Sequence, residues 1–183
     1  MKKIIGIIGE KGSGKGTCVD LITKIAQQKN LTVECVKTSA LLGETLTLWN
    51  IPHTRNNLQY LAIIMNTQYG DTTLSDALKN RIEKSNADVV LYESIRWKSD
   101  LDMIKSFENN FVLYVTAPVH IRYERTVSRG EKVDEKQASF EKFVADEKVA
   151  TETEILTLST HADYKIENTG TEEDLRNILE KII

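Results

Sequence analysis

The chain has 183 residues, of which 40% are hydrophobic and 28% charged, and its net charge at neutral pH is −3. This length and composition are typical of one folded domain with a substantial core and exclude a disordered chain. The slightly negative charge argues against nucleic acid or an anionic membrane as a partner, so any anion site has to be local. Two cysteines without a metal or redox spacing, and the lack of a signal-sequence pattern, predict a cytoplasmic protein.

Short apolar strands alternate with helical patterns along the chain. The predicted strands are 3–8, 31–36, 87–92, 111–116 and 163–167. The predicted helices are 14–28, 41–49, 55–69, 72–85, 101–107, 118–128, 135–160 in one or two pieces, and 172–183. This alternation predicts a three-layer α/β/α fold with a five-stranded parallel sheet. Ligands of such sheets lie beyond the carboxyl ends of the strands.

A glycine-rich segment, GEKGSGKGTC, begins at Gly9, directly after the first predicted strand. Gly9, Gly14 and Lys15 fit the phosphate-binding pattern G-x-x-x-x-G-K-[ST], except that Gly16 stands before Thr17. Glycines let several backbone N–H groups turn toward one phosphate tail, and a helix N-terminus and a lysine add positive charge. A glycine-rich turn without a ligand would require the strand, lysine and helix to coincide by chance. The segment therefore predicts a nucleoside triphosphate site.

Two charged residues follow the third predicted strand in the segment LYESIR. Glu93, at the carboxyl end of the strand, is placed to hold magnesium or its waters, as phosphoryl transfer requires. Arg96 has a planar guanidinium that suits a phosphate of a second ligand. The alternatives are a surface carboxylate and a solvated loop arginine.

Three arginines, Arg122, Arg125 and Arg129, lie at spacings of three and four on the helix after the fourth strand. This spacing places them along one face, where like charges repel unless an anion lies opposite. A transferring phosphoryl group is such an anion. A solvated helix face with local acidic partners is the alternative.

The segment between the second and third strands offers candidates for binding an acceptor. Arg55 opens a helix, Gln59 lies one turn further on, and Ser39 supplies a hydroxyl after the second strand. A plain surface role is equally compatible with Arg55. Trp49 and Trp97 are predicted to fill the edge of the core rather than to stack on a base.

With these residues in place, the chain resembles the P-loop nucleoside monophosphate kinase superfamily through nearly its whole length. GEKGSGKGT is similar to the adenylate kinase form of the loop, in which glycine and then threonine follow the lysine. ESIR resembles the segment after the third strand of adenylate kinases, and APVHIRYERTVSR resembles the arginine-bearing helix that leads into their lid. ADYKIENTGTEEDL is similar to the last strand, adenine-side turn and final helix of dephospho-CoA kinases.

The resemblance implies a single P-loop kinase domain over residues 1–183, with an acceptor-binding insertion at about 39–85 and a short lid at about 129–140. It implies that Lys15 bridges the β- and γ-phosphates, that Glu93 positions Mg²⁺ through water, and that the three arginines neutralise the transferring group. The implied nucleotide-binding residues are Gly9, Gly12, Ser13, Gly14, Lys15, Gly16 and Thr17 in the loop, with Asn168, Thr169 and Gly170 beside the adenine.

Departures from the family pattern concern the acceptor side. Lys11 stands where adenylate kinases often have proline, and Ser94 replaces a glycine. The segment TSALLGE lacks the aspartate and arginine that adenylate kinases carry after the second strand. The expected acceptor-binding residues are Ser39, Arg55, Gln59 and Arg96.

The expected function is ATP- and Mg²⁺-dependent phosphoryl transfer to a small acceptor, foremost a (deoxy)nucleoside monophosphate. The alternatives are a dephospho-CoA kinase and a nucleotide-binding regulator or slow NTPase. The expected partners are the nucleotide donor and the small-molecule acceptor, in a monomer or small homo-oligomer.

Overall fold

The computed structural model describes residues 1–129, 139–146 and 150–183. Its sheet has the strand order β2-β3-β1-β4-β5, and every described pairing is parallel. The strands are β1 (Lys3–Ile8), β2 (Val33–Val36), β3 (Val89–Tyr92), β4 (Asn110–Thr116) and β5 (Tyr164–Glu167). β1 is the central strand, so the loop that follows it emerges from the middle of the carboxyl edge of the sheet.

The described helices connect these strands. They are α1 (Lys15–Gln28), α2 (Thr38–Leu48), α3 (Arg55–Tyr69), α4 (Thr73–Lys84), α5 (Lys98–Lys105), α6 (Val119–Arg129), α7 (Phe140–Asp146), α8 (Ala150–Ser159) and α9 (Glu172–Glu180). The predicted five-stranded parallel α/β fold is confirmed. Most of the predicted lid lies outside the described residues.

Both faces of the sheet are buried, which explains why its central strands are continuous apolar runs. Ile5 and Ile7 of β1 pack in one cluster with side chains of α1 and α9. Ile4 and Ile8 point to the opposite face, into a cluster that includes side chains of α4, α5 and α8. Cys18 of α1 is fully buried in the first cluster, and burial raises its pKa to about 12, so it is a core residue and not a reactive thiol.

A third, smaller apolar cluster stabilises the segment between β2 and β3. Leu42 and Leu46 of α2 pack there with Leu61 of α3. The hydroxyl of Thr54 caps α3 by accepting a hydrogen bond from the N–H of Asn57 at 3.2 Å. The acceptor-binding insertion proposed from the sequence therefore contains a core of its own beside the sheet.

Two predictions about large side chains are wrong. Trp49 follows the last residue of α2 and is 59% exposed, and Trp97, at the start of α5, is 44% exposed. None of the helices in the described part of the chain has the length and apolar character needed to cross a membrane.

Candidate phosphate-binding site

The glycine-rich loop joins β1 to α1 and has the backbone shape that its glycines allow. Gly12 and Gly14 have φ values of 77° and 99°, in the left-handed region that favours glycine. A Cβ on Gly12 would lie 2.4 Å from the carbonyl oxygen of Arg122, and one on Gly14 would lie 2.2 Å from Nδ2 of Asn168. These two glycines therefore allow α6 and the turn after β5 to approach the loop closely.

Lys15 begins α1 and folds back over the loop. Its Nζ donates hydrogen bonds to the carbonyl oxygens of Gly9 at 2.6 Å and Glu10 at 2.9 Å. Gly16 follows on the exposed side, where an added Cβ would have no neighbour within 4 Å among the described residues. Because Gly16 faces open space and Lys15 spans the loop, the loop presents a cation and unobstructed backbone at a helix N-terminus.

Glu10 anchors the loop to the neighbouring strand, a contact that sequence reasoning missed. Its side chain is buried, and Oε1 accepts hydrogen bonds from the hydroxyls of Tyr114 at 2.5 Å and Thr116 at 3.1 Å. Burial and the bond to Glu10 raise the pKa of Tyr114, so its phenol remains a donor. A polar residue at the second position of a glycine-rich loop, together with hydroxyls at the end of β4, is the signal that would have found it.

Asn168 joins the loop to the turn after β5. Its Nδ2 donates to the carbonyl oxygen of Ser13 at 2.9 Å, and its backbone N–H donates to that of Thr116 at 2.7 Å. Thr169 and Gly170 continue the turn on the surface. Asn168 therefore lies directly against the predicted phosphate loop, and contact of Asn168, Thr169 or Gly170 with a base stays a prediction.

The three arginines of α6 differ in their surroundings. Arg125 is half-buried, and its Nη1 donates to the carbonyl oxygen of Asn168 at 3.0 Å, which places it beside the same turn. Arg129, one turn further along α6, is exposed. Both lie on the helix that packs against Gly12.

Arg122 is 7% exposed and interacts with the protein backbone. Its Nε donates to the carbonyl oxygen of Ala117 at 2.8 Å, and its Nη1 lies 3.4 Å from that of Lys11. A contact between Arg122 and a phosphoryl group stays a prediction. The bonds described here give it a different task, which is to hold α6 against the loop.

Glu93 follows β3, the strand beside β1, and its side chain is 17% exposed. Its Oε1 forms an ion pair with Nζ of Lys37, the residue directly after β2. The hydrogen bond to Glu93 raises the pKa of Lys37, which therefore stays protonated at neutral pH. Magnesium commonly takes one or two carboxylates together with phosphates and waters, and a partly exposed carboxylate at this edge fits that donor set.

A buried carboxylate organises the segment that carries Arg96. Asp100 accepts hydrogen bonds from the backbone N–H groups of Arg96 at 3.0 Å and Trp97 at 3.2 Å and from the hydroxyl of Tyr92 at 3.0 Å. Burial raises the pKa of Asp100, and these bonds oppose the increase. The Tyr92 hydroxyl also lies 2.9 Å from that of Thr38, so the network links this segment to the start of α2.

The remaining acceptor candidates lie on α2 and α3. Ser39 is exposed within the first turn of α2, which begins at Thr38 and not at Leu41 as predicted. Gln59 is exposed on α3, and Arg55 is the first residue of that helix. The contacts of these residues with an acceptor stay predictions.

Comparison with known proteins identifies one relative in sequence and several similar folds. A UPF0200 protein from Sulfurisphaera tokodaii is 25% identical over 181 residues, covering 99% of this chain and 96% of its own length. A shikimate kinase from Acinetobacter baumannii, solved with shikimate, aligns with a TM-score of 0.56 and 18% identity over 100% of this chain and 93% of its own.

A shikimate kinase from Bacteroides thetaiotaomicron aligns with a TM-score of 0.61 and 10% identity, covering 98% of this chain and 97% of its own. No protein-family model matches the chain. The chain thus has the three-layer fold of P-loop small kinases, in agreement with the resemblance noted in its motifs.

Proposed function

We propose that the protein is an ATP- and Mg²⁺-dependent kinase whose acceptor carries a phosphate, foremost a (deoxy)nucleoside monophosphate. The observation that carries the proposal is the charge arrangement at the carboxyl edge of the sheet. The loop with Lys15 lies in the middle of this edge, after β1. Arg125 lies on one side, next to the turn that follows β5, and the Glu93–Lys37 ion pair lies on the other side, at the ends of β3 and β2. Donor and acceptor would meet at this edge with cations on both sides of the transferring group.

Catalysis would consist of positioning and charge neutralisation, and it requires no nucleophilic side chain. Bound Mg²⁺ would neutralise charge on the phosphates, and Glu93 is the residue that would hold its waters. When ATP binds, Nζ of Lys15 would exchange its hydrogen bonds to the carbonyl oxygens of Gly9 and Glu10 for bonds to oxygens of the β- and γ-phosphates. Arg125 and Arg129 would bind the transferring group, with Thr17 near the phosphate tail and Asn168 beside the adenine.

The shikimate kinases among the structural neighbours raise a second candidate, an alcohol acceptor. An alcohol oxygen has to lose its proton as it attacks, which calls for a carboxylate base, whereas a phosphate oxygen is already anionic. β2 is followed by Lys37, Thr38 and Ser39, and the carboxylate of Glu93 is paired with Lys37. A phosphate acceptor fits this edge better than shikimate or the ribose hydroxyl of dephospho-CoA.

An acceptor screen tests the proposal. Purified protein is incubated with Mg-ATP and, separately, with the common ribo- and deoxynucleoside monophosphates, dephospho-CoA and shikimate. We expect ADP release that depends on one or a few monophosphates, with the corresponding diphosphate as the second product. Product identification by mass spectrometry separates transfer from hydrolysis.

Each other outcome of the screen has a definite meaning. Transfer to shikimate or dephospho-CoA alone would replace the phosphate acceptor by an alcohol. ADP release that is indifferent to every acceptor would contradict the kinase proposal and favour a nucleotide-binding regulator or slow NTPase.

Replacing Arg125 tests the arginine helix. We expect Arg125→Ala to lower turnover by about 10²-fold, since removal of one preorganised donor to a developing anion typically costs this much. The dissociation constant of Mg-ATP should change by less than about tenfold, because the guanidinium acts mainly on charge that moves during transfer. Steady-state kinetics and equilibrium titration measure the two effects separately.

Arg176→Ala is the matched control for this experiment. Arg176 lies on α9, where its guanidinium binds Glu180 and Gln28 near the opposite end of α1. Its replacement should leave turnover unchanged. Equal turnover of Arg125→Ala and the wild type would remove Arg125 from the site.

A further inference from the structure

Lys37 is a cation at the carboxyl edge of the sheet to which the sequence pattern assigns no task. It directly follows Val36, and Val36 is in register with Tyr92 of the adjacent strand β3. Lys37 and Glu93 therefore leave neighbouring strands at the same level, one residue beyond that pair. Their ion pair lies between the start of α2 and the segment that carries Arg96.

The backbone around Lys37 is fixed, but its side chain is not enclosed. The hydroxyls of Thr38 and Tyr92 form a hydrogen bond at 2.9 Å. The Tyr92 hydroxyl in turn donates to the buried carboxylate of Asp100 at 3.0 Å. The side chain of Lys37 is 47% exposed, whereas that of Glu93 is 17% exposed. The ammonium group is therefore the partner that can reach a ligand in solution without a change of the fold.

Arg96 adds a second positive charge on this side of the site. Its backbone N–H is held by Asp100, and its residue is exposed. Glu93 lies three residues before Arg96, in the same segment after β3. An anionic group at this place would meet the ammonium group of Lys37 once Glu93 no longer neutralised it.

We propose that Lys37 binds the phosphate of the acceptor. Until the magnesium nucleotide binds, Lys37 remains in its ion pair with Glu93. This inference rests on the proposed function, because it assigns Glu93 to the waters of Mg²⁺. One carboxylate cannot fully neutralise both a divalent cation and an ammonium group. When Glu93 turns toward the metal, Lys37 needs a new anion, and the acceptor phosphate supplies it.

Positive coupling between the two ligands follows. Magnesium nucleotide raises the affinity for the acceptor phosphate, and by linkage the acceptor raises the affinity for the nucleotide by the same factor. We expect the factor to be about tenfold, within the usual range of coupling between two sites. Removing the negative charge of Glu93 should leave Lys37 available to the acceptor phosphate whether or not nucleotide is bound. The coupling between nucleotide and acceptor that depends on Glu93 should then disappear.

Equilibrium binding provides the test without any turnover. The protein is titrated calorimetrically with each common nucleoside monophosphate and with its nucleoside, in the presence and absence of Mg²⁺ and a non-hydrolysable ATP analogue. Wild type, Lys37→Met, Lys37→Arg and Glu93→Gln are compared. Lys105→Met is the matched control, because Lys105 forms an ion pair with Asp163 at 2.6 Å beside the start of β5, at the opposite edge of the sheet.

We expect Lys37→Met to weaken binding of the monophosphate by about tenfold or more and to leave the weak binding of the nucleoside unchanged, since a charge-assisted contact is lost. Lys37→Arg should retain part of the affinity. Glu93→Gln should bind the monophosphate several-fold more tightly than wild type without nucleotide and should show no gain when the analogue is added. Lys105→Met should behave as wild type.

The outcomes separate this inference from the proposed function. If wild type binds and phosphorylates a monophosphate, and Lys37→Met binds it equally well, the role of Lys37 is overturned and the kinase proposal stands. If Glu93→Gln weakens monophosphate binding, the carboxylate of Glu93 does not compete with the acceptor phosphate for Lys37. If wild type neither binds nor phosphorylates any monophosphate, the proposed function fails and this inference fails with it.

Discussion

Replacement of Gly14 by alanine is expected to lower the free energy of unfolding by about 2–4 kcal/mol, through left-handed backbone strain and loss of a buried hydrogen bond. The φ of Gly14 is 99°, and the new Cβ would lie 2.2 Å from Nδ2 of Asn168. Asn168 would have to leave the carbonyl oxygen of Ser13, which it now binds at 2.9 Å. Because the same bond shapes the loop, nucleotide binding should be lost as well.

Gly16 provides an internal control two residues away. An added Cβ at Gly16 has no neighbour within 4 Å among the described residues, and the residue lies in the first turn of α1. Gly16→Ala should therefore leave the free energy of unfolding unchanged or raise it by about 0.5 kcal/mol, because it reduces the freedom of the unfolded chain. Urea unfolding of both variants measures the contrast, and titration with an ATP analogue gives the second readout.

A double-mutant cycle separates the two causes of the Gly14 effect. In Asn168→Ala the colliding Nδ2 is absent, so Gly14→Ala should cost less there than in the wild type, and only the backbone strain should remain. Equal costs in both backgrounds would show that Asn168 plays no part. A Gly14→Ala protein as stable as the wild type would contradict the described loop geometry.

Local sequence patterns predicted most of the fold. The strand over Lys3–Ile8 and the helix over Arg55–Tyr69 have the predicted bounds, because an apolar run, a threonine cap and a terminal glycine each mark an end. The start of α2 was placed three residues too late. Only Lys37 separates the helix from β2, since the carbonyl oxygen of Lys37 already accepts a hydrogen bond from the N–H of Ala40 at 3.1 Å.

The contacts that hold the site together were less predictable. The pairs Glu10–Tyr114, Asn168–Ser13 and Lys37–Glu93 join residues that are far apart in the sequence. Their formation depends on strand order and register, which periodicity does not encode. Arg122 shows the same limit, because spacing placed it in one row with Arg125, whereas the packing of α6 on the loop buries it.

Exposed aromatic residues were the clearest error in the prediction of the core. Trp49 and Trp97 were assigned to its edge because large apolar side chains are usually buried. Trp97 is the N-cap residue of α5, and the buried carboxylate of Asp100 accepts a hydrogen bond from its backbone N–H. This bond fixes the backbone of Trp97, so the hydrophobicity of the side chain alone does not predict its burial.

Lys15→Met is expected to reduce phosphoryl transfer by about 10³-fold or more, since it removes the charge nearest to the transferring group while keeping the aliphatic stem. In the free protein Nζ of Lys15 binds two neutral carbonyl oxygens, those of Gly9 and Glu10. Binding of ATP would exchange these for anionic phosphate oxygens, which form hydrogen bonds about twice as strong. Turnover and the dissociation constant of Mg-ATP should both be affected, turnover more strongly.

The exchange of partners at Lys15 also predicts how ATP changes stability. Wild type should gain thermal stability as Mg-ATP is added, because a ligand that binds only the folded state stabilises it. Lys15→Met should lose most of this gain, and Lys15→Arg should recover little of it, because a larger planar guanidinium does not fit a position that holds one compact ammonium group. Scanning calorimetry with increasing Mg-ATP measures the gain. A Lys15→Met protein with the thermal shift and turnover of the wild type would remove Lys15 from the nucleotide site.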